Sequence, residues 1–135
     1  MHLALNSADS RGEIKLASTD IADQPLIDFN YMSAPWDLAR MRDGLRRLAE
    51  IGEQPEFAKN VTARVTPTDE ILEDDRVLDE WIRTEVTTGH HISCSNTMGV
   101  DSDPMGVVDQ YGSVRGVEGL RVVDASNAYM CQGEH

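Results

Sequence analysis

The sequence predicts an α+β fold: an antiparallel sheet with two or three helices packed on it, and a further short strand at 120–123. Three observations carry this. Residues 13–18 and 26–31 alternate apolar and polar side chains with the period of half-buried strands. Residues 35–51 and about 74–84 carry apolar side chains at spacings of three and four, as amphipathic helices do. An apolar run at 120–123, broken only by Arg121, stands by itself between Gly119 and Asp124.

Taken in order, Ser10-Arg11-Gly12 is a turn into a strand that puts Ile14 and Leu16 on one face. After Gln24-Pro25, a second strand alternates Ile27, Phe29 and Tyr31 against Asp28 and Asn30. In the first helix Leu38, Met41, Leu45 and Leu48 form one face, Pro35 suits the first turn, Asp37 favours the positive end of the dipole, and Gly52 is the stop. Arg40, Arg42, Arg46, Arg47 and Glu50 lie opposite and read as a solvated surface rather than an anion site. Residues 54–64 predict a loop with a short strand, in which Val61, Ala63 and Val65 alternate ahead of Pro67. Thr66 is then placed as a helix cap with Pro67 in the first turn. Val77, Leu78, Trp81 and Ile82 make the apolar face of the helix over 74–84. The acidic run from Asp69 to Asp75 lacks the alternating ligands and the glycine of a calcium loop, so it reads as a solvated helix start.

A chain of 135 residues suffices for one ordinary domain with a modest core, and an aromatic content of 5% leaves few large side chains to fill it. A net charge of -12 argues against nucleic acid and anionic membrane surfaces as partners. No apolar stretch approaches the roughly 18 residues of a membrane span, and the start lacks the pattern of a signal peptide. A soluble, cytoplasmic protein is expected. Two cysteines, Cys94 and Cys131, are too few for a disulfide scaffold; they are able to pair with each other, but a reduced state is expected.

The chemistry concentrates in residues 89–135. A short apolar run such as 120–123 is typical of a parallel strand buried on both faces, and open α/β sheets bind ligands beyond the carboxyl ends of such strands. Asp124 sits there. Its carboxylate suits sugar or ribityl hydroxyls, and Ala125 and Ser126 allow close approach, but Asp-Ala-Ser-Asn is equally good turn chemistry. His90 and His91, if on a strand, point to opposite faces. A zinc site from these histidines with Cys94 and Cys131 lacks the usual short ligand pairs, so no metal is expected. A Cys94 nucleophile with His91 as base lacks a visible orienting group.

In its last third the chain resembles the carboxy-terminal signature of the glucose-methanol-choline (GMC) family of FAD-dependent oxidoreductases. The matching residues are His91, Met98-Gly99, Asp101, Asp103-Pro104, Val107-Val108-Asp109, Val114, Gly116 and the unbroken stretch 119–126, Gly-Leu-Arg-Val-Val-Asp-Ala-Ser. The Ser10-Arg11-Gly12 turn and Pro25, Ile27, Asp28, Asn30 and Tyr31 are similar to the same family further upstream, so the resemblance covers nearly the whole chain. It implies a GMC substrate-binding domain over 1–106, including the catalytic His loop, and a truncated terminal segment of the FAD-binding domain over 107–135. It further implies that His91 accepts the alcohol proton as hydride leaves for FAD, that His135, nine residues after Ser126, hydrogen-bonds the same oxygen, and that Asp124 and Ala125 meet the flavin. Imidazole suits proton transfer because its unperturbed pKa lies near working pH. Where the family has Pro-x-Gly-Thr after the histidine, this chain has Ile92-Ser93-Cys94-Ser95, which puts a side chain where glycine frees the backbone, and Tyr129 stands where a proline is common.

No Gly-x-Gly-x-x-Gly occurs, and no crossover units supply parallel neighbours for 120–123. The chain therefore reads as the carboxy-terminal piece of an FAD-dependent enzyme acting on a small-molecule alcohol, inactive alone because its FAD-binding domain is missing. The alternatives are one half of a split flavoenzyme needing a separate FAD-domain polypeptide, and a non-catalytic remnant or binding domain. An upstream reading frame with a glycine-rich motif would favour the first two.

Overall fold

In a computed structural model of the chain the described residues are 1–128. They divide into two compact units, the first Met1–Thr87 and the second beginning at Thr88. This division falls earlier in the chain than the 106/107 boundary that the resemblance implies.

In the first unit β1 (Glu13–Lys15) pairs antiparallel with β2 (Leu26–Asp28), Glu13 opposite Asp28 and Lys15 opposite Leu26. Gly12 sets where this ribbon starts, since a Cβ there would lie 2.0 Å from the Asp28 carbonyl oxygen. Alternation placed the strands correctly but not their burial: Ile14 and Ile27 are 56% and 52% exposed. A two-stranded ribbon has no apolar layer of its own to hide in, and the helices here pack on one another instead.

Four helices follow: α1 (Pro35–Gly52), α2 (Pro55–Ala58), α3 (Asp69–Glu73) and α4 (Asp75–Glu85). The three-and-four spacing works as expected, because Leu38 of α1 meets Leu78 and Ile82 of α4, with Met32 closing the core. Met41, Leu45, Ile71, Leu72 and Trp81 pack around this centre. Asp74 caps α4 by accepting from the amides of Arg76 at 2.8 Å and Val77 at 3.1 Å. The α+β class holds, with three local corrections. The strand expected near 61–65 is absent; α2 precedes that stretch, and Val65 is 87% exposed. The next helix begins at Asp69 with Thr68 at its N-cap position, rather than at Thr66 and Pro67.

The third correction concerns the polar face of α1, which is not simply solvated. Arg42 Nη1 donates to both Asp79 oxygens at 2.8 and 2.9 Å. Arg46 reaches the Leu72 carbonyl at 2.9 Å and Asp75 at 2.6 Å. These arginines join α1 to the acidic side of α4, so one edge of the helix is an interface although its sequence is fully polar. Asp37 is likewise more than a dipole partner: it is completely buried and accepts four hydrogen bonds, from the amides of Asp9 and Ser10, the Ser10 hydroxyl and Arg40.

The second unit is a meander held by single bridges. Met98 and Val114 each bridge to Val108, which is fully buried, and Ser113 bridges antiparallel to Arg121. Gly99 and Gly106 lie where chain crosses chain, since a Cβ on Gly99 would come within 2.9 Å of the Gly106 Cα. Residues 120–123 are not a doubly buried strand: Leu120 is 49% and Val123 81% exposed. The apolar run needs parallel neighbours on both sides, and among the described residues it has one antiparallel bridge. Gly112 is buried at φ +74°, with the position of an added Cβ only 2.7 Å from the Val122 carbonyl oxygen. Gly112→Ala is therefore expected to destabilise this unit by about 1–3 kcal/mol, read as lost amide-exchange protection at Val108 and Val114; unchanged protection would contradict it.

Candidate active site

His91 lies in an exposed, irregular stretch, not on a strand, so the opposite-faces argument for the two histidines does not apply. His90, just before it, has φ +61°, and its amide donates to Thr88 Oγ1 at 3.0 Å. Three residues past His91, Cys94 has φ +67°, the left-handed region expected of the glycine whose place it takes. Cys94 is disulfide-bonded, which corrects the expectation of a reduced thiol and removes it as a nucleophile in this state.

From Cys94 onward the loop runs along the turn that follows Asp124. The Cys94 amide donates to Ala125 O at 3.3 Å, Asn96 to Ser126 O at 3.0 Å, and Met98 to Asn127 O at 3.3 Å. Two side chains reinforce this ladder: Asn96 Nδ2 donates to Ser126 Oγ at 3.0 Å, and Thr97 Oγ1 to Cys94 O at 2.6 Å. The loop bearing His91 and the Asp124-Ala125 turn, more than thirty residues apart in sequence, thus become one structure. His135 lies outside the described residues.

Asp124 serves its turn directly. It is the N-cap of a single 3-10 turn, Ala125–Asn127, and its Oδ1 accepts from the Ser126 amide at 2.8 Å and from the Ser126 hydroxyl. Those two bonds, the hydroxyl first, hold its carboxyl below the usual range and keep it charged. Asp124 and Ala125 are exposed. Both readings of the Asp-Ala-Ser-Asn segment remain compatible in one residue: Oδ1 holds the turn, and Oδ2 has no partner among the described residues.

Asn96 and Ser126 escaped the sequence reading as a pair, because nothing local marks a contact across thirty positions. Arg115 is similar: it ties the motif residues together by pairing with Asp101 and the Gly99 carbonyl, along a cleft of about 740 Å³ that Met98, Asp109 and Gln110 also line. Among the described residues no three of His, Cys, Asp and Glu are grouped to hold a metal ion, and no helix is long and apolar enough to cross a membrane.

With this geometry in view, the comparisons with known proteins are specific. The model of the GMC oxidoreductase family, in its carboxy-terminal part, matches residues 8–131, and the chain belongs to that family. It is 42% identical over 126 residues to the oxygen-dependent choline dehydrogenase of Stenotrophomonas maltophilia (strain K279a), a match that covers 93% of this chain and 22% of that protein. Its fold superposes on pyridoxine 4-oxidase from Mesorbium loti with a TM-score of 0.75 at 28% identity, covering 90% of this chain and 23% of the other. A fungal aryl-alcohol oxidase gives 0.74 at 29%, covering 87% and 19%. The chain thus spans about a fifth of the length of the proteins it matches.

Proposed function

We propose that this chain supplies the substrate side of an FAD-dependent oxidation of a small alcohol, with residues 1–106 in a substrate-binding domain and 107–135 a truncated terminal segment of the FAD-binding domain. The observation that supports this is the ladder joining the loop after His91 to the Asp124-Ala125 turn, which links the segment of the proposed base to that of the proposed flavin contact. The relatives named for choline, pyridoxine and aryl alcohols agree on the class of donor.

In this reading the exposed His91 takes the proton from the alcohol oxygen, and His135 hydrogen-bonds the same atom. The cofactor fits only in part. Asp124 Oδ2 and the small, exposed Ala125 suit one edge of a polyhydroxyl ligand, whereas a glycine-rich turn for the pyrophosphate is missing from the sequence. FAD, when bound, supplies the hydride acceptor. This chain's contribution is to orient the alcohol and move its proton, so the chain alone is inactive.

A flavin titration tests it, following FAD fluorescence and the visible band with the chain alone and with an FAD-binding-domain polypeptide from an adjoining reading frame. Binding only in the mixture is expected. No binding in either case would leave a remnant or binding domain, and tight binding by the chain alone would mean that it builds far more of the flavin site than proposed.

A further inference from the structure

One contact between the loop after His91 and the turn at Asp124 is made by two side chains: Asn96 Nδ2 donates to Ser126 Oγ at 3.0 Å. The Ser126 hydroxyl in turn donates to Asp124 Oδ1, which also accepts from the Ser126 amide at 2.8 Å. We propose that Asn96 is a positioning residue: through Ser126 it fixes the Asp124 carboxylate, with Oδ1 bound to its own turn and Oδ2 left to a ligand hydroxyl. That the ligand is a flavin rests on the function proposed above; the relay of three side chains does not.

The direction of each bond follows from what the groups can do. A charged carboxylate only accepts, so the single proton of the Ser126 hydroxyl is committed to Asp124. What remains at Oγ is lone-pair capacity, and a neighbour there must donate. The Asn96 amide does so, whereas a carboxylate in its place would compete for the same proton. With its acceptor side filled the hydroxyl is held in one orientation, and donation to Oγ polarises the O–H towards Asp124, as chained hydrogen bonds do. The Ser126 hydroxyl is the first cause of the lowered pKa of Asp124, its amide the second, and no charged neighbour contributes. Titration of Asp124 therefore reads the relay.

The register of the two segments does not depend on this side chain. Backbone rungs from Cys94 to Ala125, Asn96 to Ser126 and Met98 to Asn127 set it by themselves. Asn96 and Ser126 face each other at the middle rung, both half-buried. Their side-chain bond thus adds orientation to a frame already built.

The test uses the purified chain without flavin. Asn96→Leu keeps much of the volume and removes the donor; Asn96→Asp keeps the shape and sets a second acceptor against Ser126. In carbon-13 spectra of the carboxyl groups the Asp124 midpoint should rise in both variants, further in Asn96→Asp because it adds a like charge. Amide exchange at Cys94 and Met98 should stay within about threefold of wild type. An unmoved midpoint in Asn96→Leu would overturn the proposal. So would loss of protection at those rungs, since the side chain would then be a strut for the loop. In the mixture with an FAD-binding-domain polypeptide, Asn96→Leu should weaken FAD binding about tenfold, the scale of one hydrogen bond to a charged group; unchanged affinity would overturn the positioning role. A wild-type mixture that binds no flavin would instead overturn the proposed function and leave the carboxyl titration to decide the relay.

Discussion

His91→Gln, in the chain assembled with an FAD-binding domain, is expected to lower kcat for alcohol oxidation by about 10²–10⁴-fold, the usual contribution of a positioned general base. Glutamine keeps the polarity and much of the volume of imidazole but cannot accept the alcohol proton. His91 is exposed, and the ladder that orders its loop begins at Cys94 and runs through the backbone. The substitution should therefore leave chain stability and the flavin absorption band unchanged while the rate collapses. Retention of more than about a tenth of the rate would exclude His91 as the base. Loss of flavin binding would instead show that the residue acts in cofactor binding rather than proton transfer.

What the sequence revealed depended on how far each determinant lies from its partner. The two long helices were legible because Leu38, Met41, Leu45 and Leu78, Ile82 repeat with a local period, and their burial follows directly. Arg42 and Arg46 were misjudged as solvent-facing because Asp79 and Asp75, which hold them, are on another helix. Ile14 and Ile27 show the same limit in reverse. Their alternation correctly announces a strand, but the layer that would cover them is not among the elements packed here. The run 120–123 fails for that reason too, being patterned for parallel neighbours that are not found among the described residues. For the candidate site, order and spacing of the motif exposed the family and singled out His91 and Asp124, whereas the Asn96–Ser126 contact arises only when distant segments meet.

Asp37 illustrates the same point energetically and yields the largest expected effect on stability. A local reading finds an acid in the first turn of α1; the fold adds the amides of Asp9 and Ser10, at 3.0 and 2.7 Å, and the Ser10 hydroxyl at 2.5 Å, all from residues far upstream, together with Arg40 at 2.7 Å. Burial by itself would raise the pKa of this carboxyl. The bonds from Ser10, Asp9 and Arg40 outweigh it and lower the value from 3.8 to about 2. Asp37→Ala strips all of these donors of their acceptor and leaves Arg40 without its buried counter-ion, a loss expected to cost about 3–5 kcal/mol. Because the folded pKa lies below the unfolded one, the stabilisation is fully present above pH 3.8 and disappears as pH falls towards 2. A shift of this size corresponds to about 2 kcal/mol. Urea unfolding of the wild type and Asp37→Ala should thus differ most at neutral pH, with the gap narrowing by about 2 kcal/mol as pH falls towards 2. A gap that stays constant across this range would show that the cost is one of lost packing, and that the charge on Asp37 does not hold the start of the chain to α1.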